Sequence, residues 1–163
     1  MFAESIIFRA SMLLTVARQK NLKIVTAESC TGGLIASLLT ECAGSSDVFE
    51  RGYVTYSNAA KEEALGVPHE LIAARGAVSA DVARAMAQGA LSHSKADLAV
   101  AVTGIAGPGG GTAEKPVGLV HIAAARGEKI IHRECRFGDI GREGVRLASV
   151  EAALEMLQKL LNP

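Results

Sequence analysis

The sequence predicts an α/β fold: a three-layer α/β/α sandwich with a mixed, mostly parallel five-stranded sheet. Three observations carry this. Short apolar, β-branched runs alternate with stretches of helical periodicity, the pattern that places helices on both faces of a sheet. The run DLAVAVTG at residues 97–104 is almost continuously apolar, as suits a central strand covered on both sides. Near the C-terminus VGLVHIAAA and KIIHRECRF are separated only by RGE, and so short a connection demands antiparallel neighbours.

The elements follow in order. Residues 4–19 repeat apolar side chains at helical spacing through Ile6, Ala10, Leu13, Leu14 and Ala17. LKIVTA (22–27) reads as a buried strand, and a helix follows from Gly32 or Gly33 to about Cys42. VFERGYVTYS (48–57) is a second strand, with Asn58 placed to cap a helix through Leu65. Pro68 suits the first turn of a short helix, and Ser79 caps the next, which runs to about Ser92. After the 97–104 strand and the hairpin at Gly127, a last helix over about 143–161 carries Leu147, Val150, Leu154, Leu157 and Leu161 as one stripe.

Composition narrows the function. The 163 residues are expected to form a single domain, and 49% hydrophobic residues supply a core. With 17 basic and 17 acidic side chains the formal charge is zero, which argues against a nucleic-acid or membrane partner. Two tyrosines, four phenylalanines and no tryptophan leave little to stack on bases. Cys30, Cys42 and Cys135 are odd in number and lack metal-ligand spacing, so a reduced cytoplasmic protein is expected. The N-terminal helix is broken by Glu4, Arg9 and Arg18 and is too polar for a signal peptide or a membrane span.

The stretch TAESCTGGLIASLL (26–39) places Ser29 where a strand gives way to a glycine-assisted helix, the position at which α/β proteins build ligand sites. The N–H groups of Thr31, Gly32 and Gly33 are positioned there to meet a phosphate or an oxyanion. The local pattern is equally satisfied if Ser29 or Thr31 simply caps the helix. It is not a nucleophile elbow, since Ala27 and Thr31 stand where glycines are required. A base must therefore come from elsewhere, and TYSNAAK (55–61) offers Tyr56 and Lys61. A lysine in a first helical turn, partly buried, loses its proton more readily and can act as a neutral base, with a tyrosine as relay. A solvated surface lysine is the plain alternative, because Glu62 and Glu63 follow. Cys30 is a rival nucleophile, but neighbours leaving a strand face opposite ways, so it is not expected to share the Ser29 pocket.

The second glycine-rich stretch, VTGIAGPGGGTAEKPVG (102–118), fits neither a phosphate loop nor the dinucleotide fingerprint. It offers unencumbered backbone at Gly104, Gly107, Gly109 and Gly110, with the hydroxyl of Thr103, for close approach to a ligand. Arg136, Arg142 and Arg146 flank or enter the last helix, where they either bind an anion or cover a solvated face.

Taken together, TAESCTGGLIASLLT, RGYVTYSNAAKEEALGV, GAVSADVARAMA, AVTGIAGPGGGTAEKPVGLVHIA and FGD with the later VR resemble the CinA C-terminal-domain family. Its stand-alone members are nicotinamide-nucleotide amidases. The resemblance implies hydrolysis of nicotinamide mononucleotide to nicotinate mononucleotide and ammonia, in pyridine nucleotide recycling. It also implies no cofactor or metal, and a catalytic set of serine, tyrosine and lysine that falls on Ser29, Tyr56 and Lys61. The 102–112 loop would hold the ribose phosphate or the pyridine ring. Family members usually carry arginine directly after GD, whereas Ile140 and Gly141 intervene here before Arg142, the candidate for that place. The competing expectation is a non-catalytic nucleotide-binding or interaction module, and a homodimer is the expected assembly if one forms.

Overall fold

The computed structural model describes residues 2–162. Helix α1 (Glu4–Gln19) leads into β1 (Ile24–Glu28), α2 (Leu34–Glu41), β2 (Phe49–Val54), α3 (Asn58–Leu65), α4 (His69–Arg75) and α5 (Ala80–Ser92). Then come β3 (Leu98–Gly104), β4 (Leu119–Arg126), β5 (Lys129–Arg136) and α6 (Arg142–Leu161). The strands form one sheet in the order β2-β1-β3-β4-β5. Pairings β1/β2 and β1/β3 are parallel, while β3/β4 and β4/β5 are antiparallel. Only β4 therefore opposes the common direction, which is the mixed, mostly parallel sheet that the sequence predicts. Among the described residues no helix is long and apolar enough to cross a membrane.

Strand alternation divides the core in two. Ile24, Leu98, Val100, Val102, Val120 and Ile122 point toward α1, α2 and α6. Val25, Ala27, Ala99, Ala101, Ala123 and Ala125 point toward α3, α4 and α5. The second face is almost all alanine, so α5 settles close to the sheet through its own Ala83, Ala87 and Ala90. Small side chains against small side chains bring backbones together. At Gly89 the approach is extreme: a Cβ there would stand 2.0 Å from the carbonyl oxygen of Leu65, the last residue of α3.

The end of α3 is thus fixed by a residue on α5, and its start by Ser57, whose Oγ accepts from the Ala60 N–H at 3.0 Å. Ser57 rather than Asn58 is the cap, since the chain needs an extended residue there and Asn58 is already helical. Ser79 caps α5 as expected, accepting from the Val82 N–H.

On the α5 side of the hairpin, His121 Nδ1 and His132 Nε2 share a hydrogen bond at 2.9 Å. Burial holds both imidazoles below the ordinary histidine range, helped at His121 by His132 and at His132 by the Arg84 guanidinium. Neutral imidazole is therefore favoured in the folded state relative to the unfolded chain. That stabilisation is complete above the unfolded pKa of about 6.5 and is lost as pH falls from there through the lower native values.

Two outcomes are expected. Gly89→Ala should destabilise the protein by roughly 1–3 kcal/mol, because the overpacking outweighs the better helix propensity of alanine. Thermal unfolding would register this as a fall in Tm. The wild-type Tm should also drop between pH 7 and pH 5, with a shallower drop in His132→Gln; equal slopes would remove the histidine pair as the cause.

Candidate active site

The site is built where β1 and β2 end side by side. The Ser29 N–H extends the β1/β3 ladder by one bond to Val102 O, at 2.9 Å. The Thr55 N–H likewise extends the β1/β2 ladder to Glu28 O, at 2.9 Å. After Ser29 the chain reverses through Gly32 and Gly33, whose φ values of +58° and +96° suit glycine and few other residues. The Gly32 N–H closes this turn on Ser29 O at 3.0 Å.

Neither Ser29 nor Thr31 caps α2. That role belongs to Glu28, fully buried, whose Oε1 accepts from Ile35 N–H at 2.9 Å and Oε2 from Ala36 N–H at 3.0 Å. A carboxylate satisfies two orphan donors at the positive end of the helix better than a hydroxyl would. Alternation along β1 explains the division of labour. Thr26 and Glu28 share the α2 side with Ile24, whereas Ser29 falls on the side of Val25 and Ala27, facing α3.

Lys61 comes from α3 and is 1% exposed. Its Nζ lies 2.9 Å from Thr55 O, 3.3 Å from Tyr56 O and 3.1 Å from Ser29 Oγ. No carboxylate is among these partners, and burial draws the amine below the ordinary lysine range. A neutral amine has two hydrogens and one lone pair. The two carbonyls, which can only accept, take the hydrogens, and the lone pair is left facing the serine hydroxyl. The surface-lysine reading is thereby excluded, and the pair is arranged for proton transfer from Ser29.

Ser29 and Lys61 border a cavity of about 220 Å³, with Tyr56, Thr103, Gly104 and Arg142 also on its wall. Thr103 Oγ1 donates to Ala77 O at 2.9 Å, which ties the end of β3 to the segment before α5. Arg142 Nη1 donates to Gly107 O at 2.9 Å, and Nη2 to the Tyr56 hydroxyl at 3.1 Å. Gly107 thus meets the site through its carbonyl. Gly109 and Gly110 are exposed, and neither they nor Thr31, Gly32 and Gly33 line the cavity. A larger depression of about 490 Å³ near the β4–β5 turn is lined by residues such as Gln88, Asp97 and Arg126. It holds no paired nucleophile and base among the described residues.

Cys30 corrects one expectation, because it borders the same cavity as Ser29. Its side chain nevertheless packs into the cluster beneath α2 and α6, and burial pushes the thiol up to about 11. A protonated thiol is a poor nucleophile. Sequence reasoning did not separate Arg146 from its neighbours. Its Nε and Nη2 donate to the carbonyls of Cys30 and Thr31, each at 3.1 Å, and clamp the turn that carries Ser29. The available signal was its i, i+4 spacing from Arg142, which puts both guanidinium groups on one side of α6. Arg136 pairs instead with Glu134 at an exposed edge.

Fold and site together define a three-layer α/β protein with a buried serine–lysine pair at the ends of its parallel strands. Residues 8–161 match the model of the CinA C-terminal domain, and the chain belongs to that family. It is 54% identical over 136 residues to the nicotinamide-nucleotide amidohydrolase PncC of Escherichia coli strain K12, covering 82% of this chain and 81% of that one. It is 50% identical over 149 residues to a putative competence-damage inducible protein of Caldicellulosiruptor bescii, covering 91% of this chain. The match spans only 36% of that longer relative. The crystal structure of the competence/damage inducible protein CihA from Agrobacterium tumefaciens superposes with a TM-score of 0.97 at 55% identity, covering 100% of this chain and 99% of the other.

Replacing Glu28 by Gln should cost about 1–3 kcal/mol, because one helix N–H then meets an amide donor instead of an acceptor. Chemical denaturation would check this; an unchanged midpoint would show that α2 does not depend on the carboxylate.

Proposed function

We propose that the protein hydrolyses the carboxamide of nicotinamide mononucleotide to nicotinate mononucleotide and ammonia, as a step in pyridine nucleotide recycling. The observation that carries this reading is the 3.1 Å contact between the buried amine of Lys61 and Ser29 Oγ on the wall of a cavity. The name and 54% identity of the Escherichia coli PncC relative support the substrate.

Neutral Lys61 takes the Ser29 proton as the oxygen attacks the carboxamide carbon. The N–H of Cys30 directly follows the nucleophile and donates to no backbone carbonyl among the described residues, so it is the donor we assign to the oxyanion. The Gly32 N–H is already committed to Ser29 O and is not available for this. The lysine ammonium returns its proton to the departing nitrogen, which leaves as ammonia. Water, deprotonated by the same amine, then attacks the acyl-serine. As the bond from the carbonyl carbon to Ser29 Oγ breaks, the lysine ammonium returns that proton to the serine oxygen and the nicotinate product is released.

Ammonia release from nicotinamide mononucleotide should be abolished in Ser29→Ala and reduced about 100- to 10,000-fold in Lys61→Met. Cys30→Ala should keep most of the activity. Because the working form of Lys61 is the neutral one, kcat/KM should rise with pH through an inflection below the free lysine value of about 10.4. Full activity in Ser29→Ala would overturn the nucleophile, and loss confined to Cys30→Ala would transfer the chemistry to the thiol. Tight nucleotide binding without ammonia in the wild type would identify a binding module instead.

A further inference from the structure

Tyr56 and Arg142 stand together at the cavity, yet neither touches the proton pathway from Ser29 to Lys61. The contact between Lys61 and Tyr56 runs through the main-chain carbonyl. The Tyr56 side chain is 61% exposed, and its hydroxyl accepts from Arg142 Nη2. An acceptor hydroxyl keeps its own proton free to donate. Arg142 has five N–H groups in a planar fork, of which those to Gly107 O and to Tyr56 account for two. The Gly107 carbonyl holds the guanidinium in place, so little freedom remains to be lost when a ligand arrives.

Charge and volume point the same way. Among the described residues on the cavity wall none is acidic, and besides Lys61, which spends its hydrogens on two carbonyls, Arg142 is the one cationic side chain. At about 220 Å³ the cavity is smaller than the roughly 300–1,000 Å³ of pockets that enclose a drug-sized ligand. It has room for an aromatic amide but not for a whole nucleotide. With the carboxamide at Ser29, the rest of such a substrate must leave through the side where exposed Tyr56 and the guanidinium stand.

We propose that Arg142 and Tyr56 form an anion clasp at the cavity mouth that receives a phosphate monoester on the substrate, and that Tyr56 serves discrimination between substrates rather than relay of the Ser29 proton. This rests on the proposed amidase reading for the identity of the reacting end. The guanidinium supplies two N–H donors to the phosphate and the phenol a third, a set suited to a charged oxygen acceptor. Proton transfer stays with Lys61, which reaches Ser29 without an intermediary.

The test compares wild type, Arg142→Met, Arg142→Lys and Tyr56→Phe, using the full chain. Ammonia release is measured from nicotinamide mononucleotide and from nicotinamide riboside, and calorimetry follows binding of nicotinate mononucleotide. The wild type should prefer the phosphorylated substrate. In Arg142→Met that preference should collapse about 10- to 100-fold, mostly through KM, with partial recovery in Arg142→Lys. Tyr56→Phe should raise KM for the mononucleotide several-fold and keep the wild-type inflection of the pH profile. Retention of the phosphate preference in Arg142→Met would overturn the clasp. A loss of kcat in Tyr56→Phe equal on both substrates, with a displaced pH profile, would restore the relay. A wild type that releases no ammonia would defeat the amidase reading alone. Calorimetry still decides the clasp in that case, weaker binding to Arg142→Met supporting it and equal binding overturning it.

Discussion

An amine buried at the junction of two strand ends and a helix is the constraint around which this molecule is organised. Lys61 reaches from α3 to two carbonyls just beyond β2 and to the hydroxyl just beyond β1. A buried ammonium without a counter-charge is expensive, and a neutral amine with both hydrogens used is much less so. The surroundings therefore shift the side chain toward the form that can accept a proton. Everything that aligns these three elements also serves this one contact. The small-residue packing of α5 sets the end of α3, Ser57 sets its start, and the ladders to Val102 and Glu28 bring the two strand ends level.

The turn after β1 shows how the Ser29 hydroxyl is kept free. A hydroxyl at the start of a helix tends to be captured by the orphan N–H groups. Here Glu28, one residue earlier and on the opposite side of the strand, takes those donors from inside the core. Arg146 draws the next two carbonyls toward α6. Ser29 is left between these two anchors with its oxygen toward Lys61. Cys30, its neighbour, is held in apolar packing that keeps its thiol protonated, so two adjacent nucleophiles do not compete.

The cavity has a buried end and an open cationic end. The first is lined by buried groups such as Thr103 and Lys61, the second by Arg142 and exposed Tyr56. This polarity matches an amide whose remainder is anionic. The two-residue interval Ile140–Gly141 before Arg142 does not remove the arginine from the site, since its guanidinium bridges the glycine-rich loop and Tyr56.

Most of the architecture was legible in the chain itself. Helices α1 and α5, the buried strand β3 and the β4–β5 hairpin follow from periodicity, a serine cap and a short turn, all signals carried within a few neighbouring residues. The cap of α3 lies one position before the one expected from sequence, because Ser57 and Asn58 are both good caps and only backbone conformation separates them. The site was legible as a set of residue types in order, because strand ends followed by glycine turns are where side chains can converge. What sequence alone left undecided is which of them meet. Ser29 could cap or react, Lys61 could face solvent or core, and three arginines looked alike. Those choices depend on contacts across 32 residues for Lys61 with Ser29 and 86 for Arg142 with Tyr56, and on the burial that shifts an amine toward its neutral form. Local order determined the elements and their candidates; burial and long-range packing, which no short window of sequence contains, decided the chemistry each candidate can perform.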